Sequence, residues 1–366
     1  MFADKVFFTP SKKARFVPVE VNLPQQLPND AYPLILNSGR IRDQWHTMTR
    51  TGKSSALAQH TQASFIALSP QDATQYGVAD NDLIKLSSPY GEVIANAQVV
   101  NDQALGQVFM PIHWNQTNAS HANVSECYGN AVDPISGQPE SKYAVVALTT
   151  VSTVQHAVIF TPTPLALAGS QACDWWNSSI TAAGMQYNLA WFEDSVEPLF
   201  FAKDLATQPT SSNIQWHTFT RSQGSDDGLT TVIGVNAGQI TLVALFGATQ
   251  PTVNAAWIVD LMTPSEDDVE FSAISALLSG AVPETFRKGK TICSCFHVGE
   301  NDIIKAITQD GCDSVSALGE TLQCGTNCGS CKSELASLVD QHASLNQHSK
   351  RISRFSENLI PVHASD

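Results

Sequence analysis

Four of the chain's eight cysteines form two close pairs near the C-terminus, and this spacing constrains the fold there more than any other feature. Cys293 and Cys295 form a C-x-C pair, and Cys328 and Cys331 form a C-x2-C pair, with 32 residues between the pairs. Two close pairs of thiolates can enclose one small centre with tetrahedral sulfur coordination. The sequence therefore predicts a metal centre held by these four cysteines.

The residues around the two pairs predict a compact helical unit over residues 291–342. Residues 300–310 place three isoleucines on one helical face and are followed by Gly311, which favours a helix end. The stretches SVSALGETL and KSELASLVD predict two further helices, and the second starts directly after Cys331. Exposed N–H groups at a helix start favour negative charge by about 0.3–1 kcal/mol, so this position suits a thiolate ligand.

The identity of the metal is open from the residues alone. Structural zinc sites more often use two C-x2-C pairs, so the C-x-C pair favours an iron–sulfur centre over zinc, and unliganded thiols are the third possibility. Two further cysteines lie nearby, Cys312 and Cys324. Because four ligands suffice, both are interpreted as small buried hydrophobic residues.

The spacing of the two pairs resembles the BFD-like [2Fe-2S] domain, which is named after bacterioferritin-associated ferredoxin. The resemblance covers residues 292–335 and extends to the Gly-Thr-x-Cys-Gly-x-Cys run at residues 325–331. It implies that the chain binds a [2Fe-2S] cluster. The implied ligands are Cys293, Cys295, Cys328 and Cys331.

The charge of the chain restricts its partners. Its 366 residues carry a net charge of −14, from 34 acidic and 20 basic residues. A phosphate backbone needs a concentrated positive field, so we expect no nucleic-acid partner. We also expect no membrane partner, because no apolar run reaches the roughly eighteen residues of a membrane helix. The N-terminus lacks the charged and then apolar order of a secretory signal peptide. Four of the cysteines cluster in a short C-terminal stretch, which favours metal binding in a reducing compartment. We therefore expect the protein in the cytoplasm.

Residues 30–148 predict a β-rich domain. The run YPLILNSGR opens it, and strand-like runs at 82–87 and 92–99 are joined through the turn signal Ser-Pro-Tyr-Gly. Between them and the opening run, Ser69 is a candidate helix N-cap, with proline at the first helical position and Gly77 as the stop. GQVFMPIHW predicts another strand. Short, closely spaced strands favour a barrel.

A basic, hydroxyl-rich run, NSGRIRDQWHTMTRTGK, follows the first strand of this domain. Arginine side chains and hydroxyl groups beside a glycine turn suit the recognition of phosphate or a pterin, because charge-assisted hydrogen bonds are short and directional. An ordinary solvated loop is the alternative. The residues alone leave this choice open.

The same run resembles the cofactor-binding motif in the C-terminal domain of molybdopterin oxidoreductases, where (T/S)-G-R is followed by Trp-His-Thr. VFMPIHWNQTNASHANV and AVDPISGQPESK are similar to later parts of that domain, so the resemblance spans residues 30–148. It implies a six-stranded barrel that covers bis-molybdopterin guanine dinucleotide. The implied cofactor contacts are Ser38, Gly39, Arg40, Trp45, His46, Thr47, Ile112 and Lys142. For His46 the alternative is a bond to the loop's own backbone, and His113 is left open as a contact.

RDQWHTMTRTGK and DPISGQPESK are most similar to the cytoplasmic assimilatory nitrate reductase branch of this family. That branch also ends in a [2Fe-2S] domain, after a middle region of comparable length. Its molybdenum-liganding side chain and a 4Fe-4S motif lie in earlier domains, and nothing in this sequence matches them. We therefore expect a C-terminal portion of such an enzyme, half of it or less, with residues 1–29 as a linker and no catalytic residue in this chain.

The resemblance implies that the whole enzyme reduces nitrate to nitrite at molybdenum. The barrel would hold a cofactor shared with N-terminal molybdenum domains, and the cluster would pass on electrons from a flavoprotein, ferredoxin or flavodoxin. A 4Fe-4S cluster is expected only in the absent part. Two alternatives stay open: a free-standing electron-transfer or molybdenum-cofactor-binding protein without catalysis, and a part of a formate dehydrogenase.

Residues 151–288 predict a mixed middle domain of unknown role. VQHAVIF predicts a strand, TTVIGVNAGQITLVALFG predicts a hairpin, and EDDVEFSAISALLSG predicts a helix that ends at Gly280. Trp175, Trp176 and Trp191 are interpreted as core or half-buried residues.

A short repeat connects the middle domain with the barrel region. QWHTFTR at residues 215–221 matches QWHTMTR at residues 44–50 in six of seven positions. Coincidence is favoured over a domain repeat, because the flanking residues differ.

The whole chain is expected to be an α+β multidomain protein. It would consist of a six-stranded β-barrel, a mixed middle domain and a small helical [2Fe-2S] domain, followed by a polar tail at 343–366.

Overall fold

Six short strands near the start of the chain close into a barrel. The structure, a computed structural model, describes residues 2–16, 18, 22–167, 172–206, 213–221, 228–264 and 268–342. The strands are β1 (Leu34–Gly39), β2 (Phe65–Leu68), β3 (Leu83–Ser87), β4 (Glu92–Val99), β5 (Gln107–Pro111) and β6 (Ala144–Thr150). They pair in the order β1-β5-β2-β4-β3-β6, and β6 returns to β1, so every barrel strand has two neighbours. The predicted six-stranded barrel is confirmed.

Alternating burial along the strands builds the barrel core. In β1, Leu34 and Leu36 are buried, whereas the residues that follow each of them are half-buried. Leu36, Ile66 and Met110 have no exposed surface. Period-2 alternation sends every second side chain to the inside, and a small barrel is filled by those side chains.

Two short helices accompany the barrel, α1 (Ser55–Ala58) and α2 (Pro70–Tyr76). The Asp72 N–H donates to the Ser69 hydroxyl at 3.0 Å, which caps α2. Gly77 ends the helix in the left-handed region, with φ of 66°. The predicted cap, first residue and stop of α2 are confirmed. Single 3-10 turns lie at Thr51–Lys53 and Val124–Cys127.

The middle region forms a second, six-stranded antiparallel sheet. Its strands are β7 (Gln155–Thr161), β8 (Trp175–Thr181), β9 (Gly184–Trp191), β10 (Gln215–Arg221), β11 (Leu229–Asn236) and β12 (Gln239–Gly247), in the order β10-β11-β12-β7-β9-β8. Its helices are α3 (Pro198–Leu205), α4 (Ala255–Met262) and α5 (Phe271–Ser279). The predicted strand β7 and the predicted hairpin β11–β12 are confirmed.

Helices cover both faces of this sheet. Ile159 of β7 packs in one hydrophobic cluster with Phe201 of α3. Its neighbour Phe160 packs in a different cluster with Trp257 of α4 and Ile274 of α5. Since successive strand residues point to opposite faces, α3 lies on one side of the sheet and α4 and α5 lie on the other.

The helix predicted before Gly280 is shorter than expected. α5 begins at Phe271 and ends at Gly280, which has φ of 71°. The Val269 N–H donates to the Gly238 carbonyl in the β11–β12 turn at 2.7 Å, so Val269 is bonded to the hairpin and lies before the helix. Residues 266 and 267 of the predicted stretch lie outside the described residues.

The middle sheet packs directly on the barrel. Trp175 is fully buried in a cluster with Leu83 and Ile94 of the barrel, and its indole N–H donates to the Ile94 carbonyl at 3.2 Å. An isolated β-bridge joins Ala119 to Asn177. The three tryptophans interpreted as core residues, Trp175, Trp176 and Trp191, are at most 7% exposed, which confirms that interpretation.

The two QWHT stretches have different structures. Residues 215–221 form strand β10 at the edge of the middle sheet, whereas residues 44–50 form a loop after β1. The two stretches are thus not copies of one structural unit, as the differing flanks predicted.

The C-terminal unit contains two short strands and three helices among the described residues. They are β13 (Thr291–Cys293), β14 (Val298–Gly299), α6 (Glu300–Thr308), α7 (Val315–Leu322) and helical residues 332–342. The three predicted helices are confirmed, although α6 ends three residues before Gly311. Ile303 and Ile307 of α6 are buried, and Ile304 is half-buried.

Two ends of the chain complete the description. The described residues before residue 30 form turns and bends, and the predicted tail at 343–366 lies outside the described residues. Within the described ranges, no helix has both the length and the apolar character that crossing a membrane requires. The predicted α+β multidomain fold is confirmed.

Candidate cofactor cleft and cluster site

The end of β1 is held by hydrogen bonds between Ser38 and three other residues. The hydroxyl of Ser38 lies 2.5 Å from both the Tyr128 hydroxyl and the Ser141 carbonyl, and Lys142 Nζ donates to the Ser38 carbonyl. Ser38 is only 1% exposed, so its hydroxyl supports the loop from inside. At Gly39, a Cβ would lie 3.0 Å from the Phe109 ring and 3.6 Å from Lys142 Nζ, so glycine leaves room for this close approach.

A buried histidine shapes the loop that follows. His113 Nε2 accepts a hydrogen bond from the Ile41 N–H at 2.9 Å, and its Nδ1–H donates to the His46 carbonyl at 2.5 Å. Both ring nitrogens are therefore used, which requires the neutral tautomer with the proton on Nδ1. Burial lowers the pKa of His113, which favours this neutral form. His113 therefore binds the backbone of the loop, and the cofactor contact implied for His46 stays a prediction. Ile112 is half-buried and packs on the barrel core.

Three of the predicted contact residues form one exposed group. The Arg40 guanidinium lies 4.7 Å from the centre of the Trp45 ring, and the rings of Trp45 and His46 are 4.5 Å apart. Trp45 is 54% exposed, which is high for an indole. His46 has φ of 45°, so the backbone bends sharply at the tip of the loop. Thr47 is exposed nearby and its hydroxyl lies 2.9 Å from that of Thr49.

A cleft of about 570 Å³ opens beside this loop. Its walls are the loop after β1, residues 114–118, and the β8–β9 hairpin of the middle sheet, with Ser178 and Met185. Among the described residues that line it, Lys53 carries a positive charge and none carries a negative one. The cleft therefore suits a polar or anionic ligand, although the chain as a whole is acidic.

Two buried polar atoms in the cleft wall have no hydrogen-bond partner among the described residues. They are the side-chain carbonyl oxygen of Gln44 and the indole nitrogen of Trp114, and both residues are at most 5% exposed. A buried unpaired polar atom costs on the order of 1–3 kcal/mol. One acceptor and one donor left unpaired in a cleft are what a polar cofactor would satisfy.

Sequence reasoning did not single out Gln44 or Trp114. Both lie inside motifs that it quoted, but their unpaired state depends on how the loop and the middle sheet close around them. No residue pattern encodes that.

The four paired cysteines meet in the C-terminal unit. The sulfurs of Cys295 and Cys328 are 3.4 Å apart and both residues are exposed. Cys293 and Cys331 are both buried, and burial together with the nearby Cys293 raises the pKa of Cys331. The thiols thus approach one another as two pairs, and each pair has one cysteine from the C-x-C motif and one from the C-x2-C motif. Among the described residues, no group of three or more His, Cys, Asp or Glu side chains is arranged to hold one metal ion.

The donor set fits an iron–sulfur cluster. Thiolates are its usual ligands, and the four cysteines would supply the four ligands that a [2Fe-2S] cluster needs. Burial raises the pKa of Cys331 to about 12, whereas hydrogen bonds from Ser330 lower the pKa of Cys328. Cys312 and Cys324 lie in the hydrophobic core of the unit, as predicted, and are not needed as ligands.

Two families match separate parts of the chain. The family described as "Molydopterin dinucleotide binding domain" matches residues 34–145, and the family described as "BFD-like [2Fe-2S] binding domain" matches residues 291–341. The first match contains β1 to β5, the start of β6, the exposed loop and Trp114. The second contains all four paired cysteines.

Relatives of known name align with different shares of the chain. A protein named nitrate reductase from Klebsiella oxytoca is 35% identical over 89% of this chain and 36% of its own length. The assimilatory nitrate reductase catalytic subunit of Bacillus subtilis is 34% identical over 39% of this chain and 20% of its own. An F420-dependent formate dehydrogenase subunit alpha from Methanocaldococcus jannaschii is 33% identical over the same two shares, 39% and 20%. The chain spans about a third or less of the length of these relatives.

Proposed function

We propose that this chain, which contains a molybdopterin dinucleotide-binding domain and a BFD-like [2Fe-2S] binding domain, is the C-terminal part of a molybdenum-dependent assimilatory nitrate reductase of the cytoplasm. The observation that carries the proposal is the combination of the two domains in one chain with a similarity to the Klebsiella oxytoca nitrate reductase over 89% of its residues. The oxidoreductase assignment is supported by the same relative.

The barrel residues would bind and orient the cofactor. Lys53 in the cleft wall and Arg40 on the exposed loop beside it would supply positive charge for its phosphates, while Gln44 and Trp114 would supply an acceptor and a donor at the cleft wall. Fixed charges and hydrogen bonds of this kind set the orientation of a bound cofactor. When bound, the cofactor supplies the molybdenum at which nitrate, two electrons and two protons become nitrite and water.

The paired cysteines would hold the entry point for those electrons. Cys295 and Cys328 are exposed, so the outer edge of the cluster is accessible to a flavoprotein, ferredoxin or flavodoxin. Cys293 and Cys331 are buried and would hold the side of the cluster that faces the interior of the domain. An electron donor would therefore dock on the side where Cys295 and Cys328 are exposed.

The first experiment tests the cluster. The purified chain should contain about two irons, show a paramagnetic signal after dithionite reduction, and neither contain molybdenum nor reduce nitrate by itself. Cys328→Ser should abolish the signal and the visible absorption. The matched control is Cys324→Ser, a buried thiol of the same stretch, which should keep most of both. A colourless chain that binds one zinc would contradict the assignment.

The second experiment tests the substrate. A chimera that joins the N-terminal part of the Klebsiella oxytoca nitrate reductase to this chain should form nitrite from nitrate with a reduced dye as donor. Arg40→Ala in the chimera should lower the amount of bound molybdenum cofactor. A chimera that loads the cofactor and forms no nitrite would contradict the proposal.

A formate dehydrogenase is the second candidate, because the Methanocaldococcus jannaschii subunit is 33% identical over 142 residues. A match of that length cannot contain both the barrel and the cluster domain, whereas a match over 89% of the chain has to extend into both. Nitrate is therefore favoured. Formate oxidation by the chimera, tested beside nitrate reduction, separates the two.

A further inference from the structure

The barrel and the cluster domain meet at a charged junction. It comprises Arg42, Asp43 and His60 from the barrel region and Lys290, Ser294 and Glu334 from the cluster domain. Arg42 donates to both Asp43 oxygens, at 3.0 and 2.7 Å, and its other terminal nitrogen donates to Glu334. Arg42 therefore binds a carboxylate of its own loop and a carboxylate of the cluster domain at the same time.

Further contacts hold the two domains together at this place. His60 Nε2 lies 3.4 Å from Glu334, and His297 Nδ1 lies 3.1 Å from the Gln59 side-chain oxygen. The pKa of Glu334 is lowered: burial alone would raise it, but the hydrogen bond from His60 and the charge of Arg42 outweigh burial. Glu334 thus stays ionised and keeps its bonds to the barrel.

Asp43 reaches into the stretch that carries the cluster ligands. Its side chain is 9% exposed, and it accepts a hydrogen bond from the Ser294 hydroxyl at 3.3 Å. Ser294 is buried and lies between Cys293 and Cys295. A carboxylate of the barrel loop is therefore one side chain away from two of the proposed ligands.

Reduction adds one negative charge to a cluster, so a fixed negative charge nearby opposes it. The effect is large when the site is shielded from water, because the local dielectric constant is low. Hydrogen bonds and charges around the sulfurs are known to set the potential of such clusters. Asp43 carries a carboxylate next to the C-x-C stretch, and its side chain is nearly excluded from solvent, so it has both the charge and the shielding that this effect requires.

We propose that Asp43 is a positioning residue that lowers the reduction potential of the cluster from the barrel side, and that Arg42 offsets part of this effect while it fastens the two domains. The proposal rests on the proposed function, in that the thiols hold a [2Fe-2S] cluster. Asp43 and Arg42 lie between Arg40 and Trp45, in the loop assigned to the molybdopterin cofactor. One loop then lies between the proposed cofactor site and the proposed cluster site, so a change in its position would also change the charge next to the cluster.

The test is a redox titration of the cluster in the purified 366-residue chain, followed by its paramagnetic signal. Asp43→Asn removes the charge and keeps an acceptor for Ser294, so the midpoint potential should move to a more positive value. Arg42→Gln removes the opposite charge and should move it to a more negative value. Glu320→Gln, an exposed carboxylate on α7 of the cluster domain, is the matched control and should leave it nearly unchanged.

Two further outcomes separate this inference from the proposed function. A wild-type chain without a cluster signal would overturn the proposed function and this inference together. A normal signal with the same potential in Asp43→Asn as in Glu320→Gln would overturn this inference alone. If Asp43→Asn did not assemble a cluster, two other variants would decide. Asp43→Glu keeps the negative charge and should keep the wild-type potential. An unchanged potential in Arg42→Gln would overturn the inference.

Discussion

At the scale of single residues, His113 decides the shape of the loop assigned to the cofactor. Its ring fills the space under the loop and binds the backbone at Ile41 and His46. The sequence predicted the loop from its composition, and it left His113 open. Which of two histidines lies under a loop depends on the path of β5, which is set by pairing between distant strands, so local pattern could not decide it.

His113 makes the stability of the barrel depend on pH. Burial lowers its pKa in the folded protein, and the charge of Arg40 acts in the same direction. The unfolded chain therefore binds more protons at mildly acidic pH, so stability is complete above the unfolded value of about 6.5 and is lost as the pH falls below it. Urea unfolding should give a lower midpoint at pH 5.5 than at pH 8.

The matched variant is His113→Gln, which can keep a donor and an acceptor but cannot become charged. It should be less stable than the wild type at pH 8 by about 1–3 kcal/mol, because amide geometry satisfies the two backbone groups poorly. Its unfolding midpoint should change less between the two pH values. An equally steep pH dependence in the variant would show that another group, such as the buried His156, is responsible.

At the scale of secondary structure, the elements defined by local signals were predicted and those defined by distant contacts were not. The caps of α2 and the β11–β12 turn follow from residues next to them in sequence. The barrel order, in which β1 pairs with β5 in parallel, joins segments about seventy residues apart and has no local signal. The predicted start of α5 was wrong for the same reason, because the bond between Val269 and Gly238 depends on the distant β11–β12 hairpin.

The N-cap of α2 should contribute measurably to barrel stability. The Ser69 hydroxyl accepts from the Asp72 N–H and donates to the Asp72 carboxylate at 2.8 Å, and that carboxylate also accepts from the Gly106 N–H. Ser69→Ala should lower the free energy of unfolding by about 0.5–2 kcal/mol. Thr74→Ala, on the exposed face of the same helix, is the control and should cost less. Equal losses in both variants of urea unfolding would argue against a role for the cap.

At the scale of the whole molecule, the middle sheet is part of the candidate cofactor cleft. The sequence predicted its hairpin and its buried tryptophans, but it gave no role for this region. The structure places Ser178 and Met185 of the middle sheet in the cleft wall, opposite the loop of the barrel. The fit between the two sheets comes from side chains that meet only after both have folded, so it was not available to the sequence.

Trp175 is the residue on which this fit depends, because it is fully buried between the barrel and the middle sheet and donates to the Ile94 carbonyl. Trp175→Ala should destabilise the chain by about 3–5 kcal/mol and separate the unfolding of the two regions into two transitions, because the cavity falls at their contact. Trp175→Phe keeps most of the ring packing and should keep one transition at a smaller loss. Phe200→Ala, an aromatic residue of α3 that is 73% exposed, is the control and should change little. Calorimetry measures both the loss of stability and the number of unfolding transitions. A single transition in Trp175→Ala would mean that other contacts couple the two regions, such as the bridge between Ala119 and Asn177.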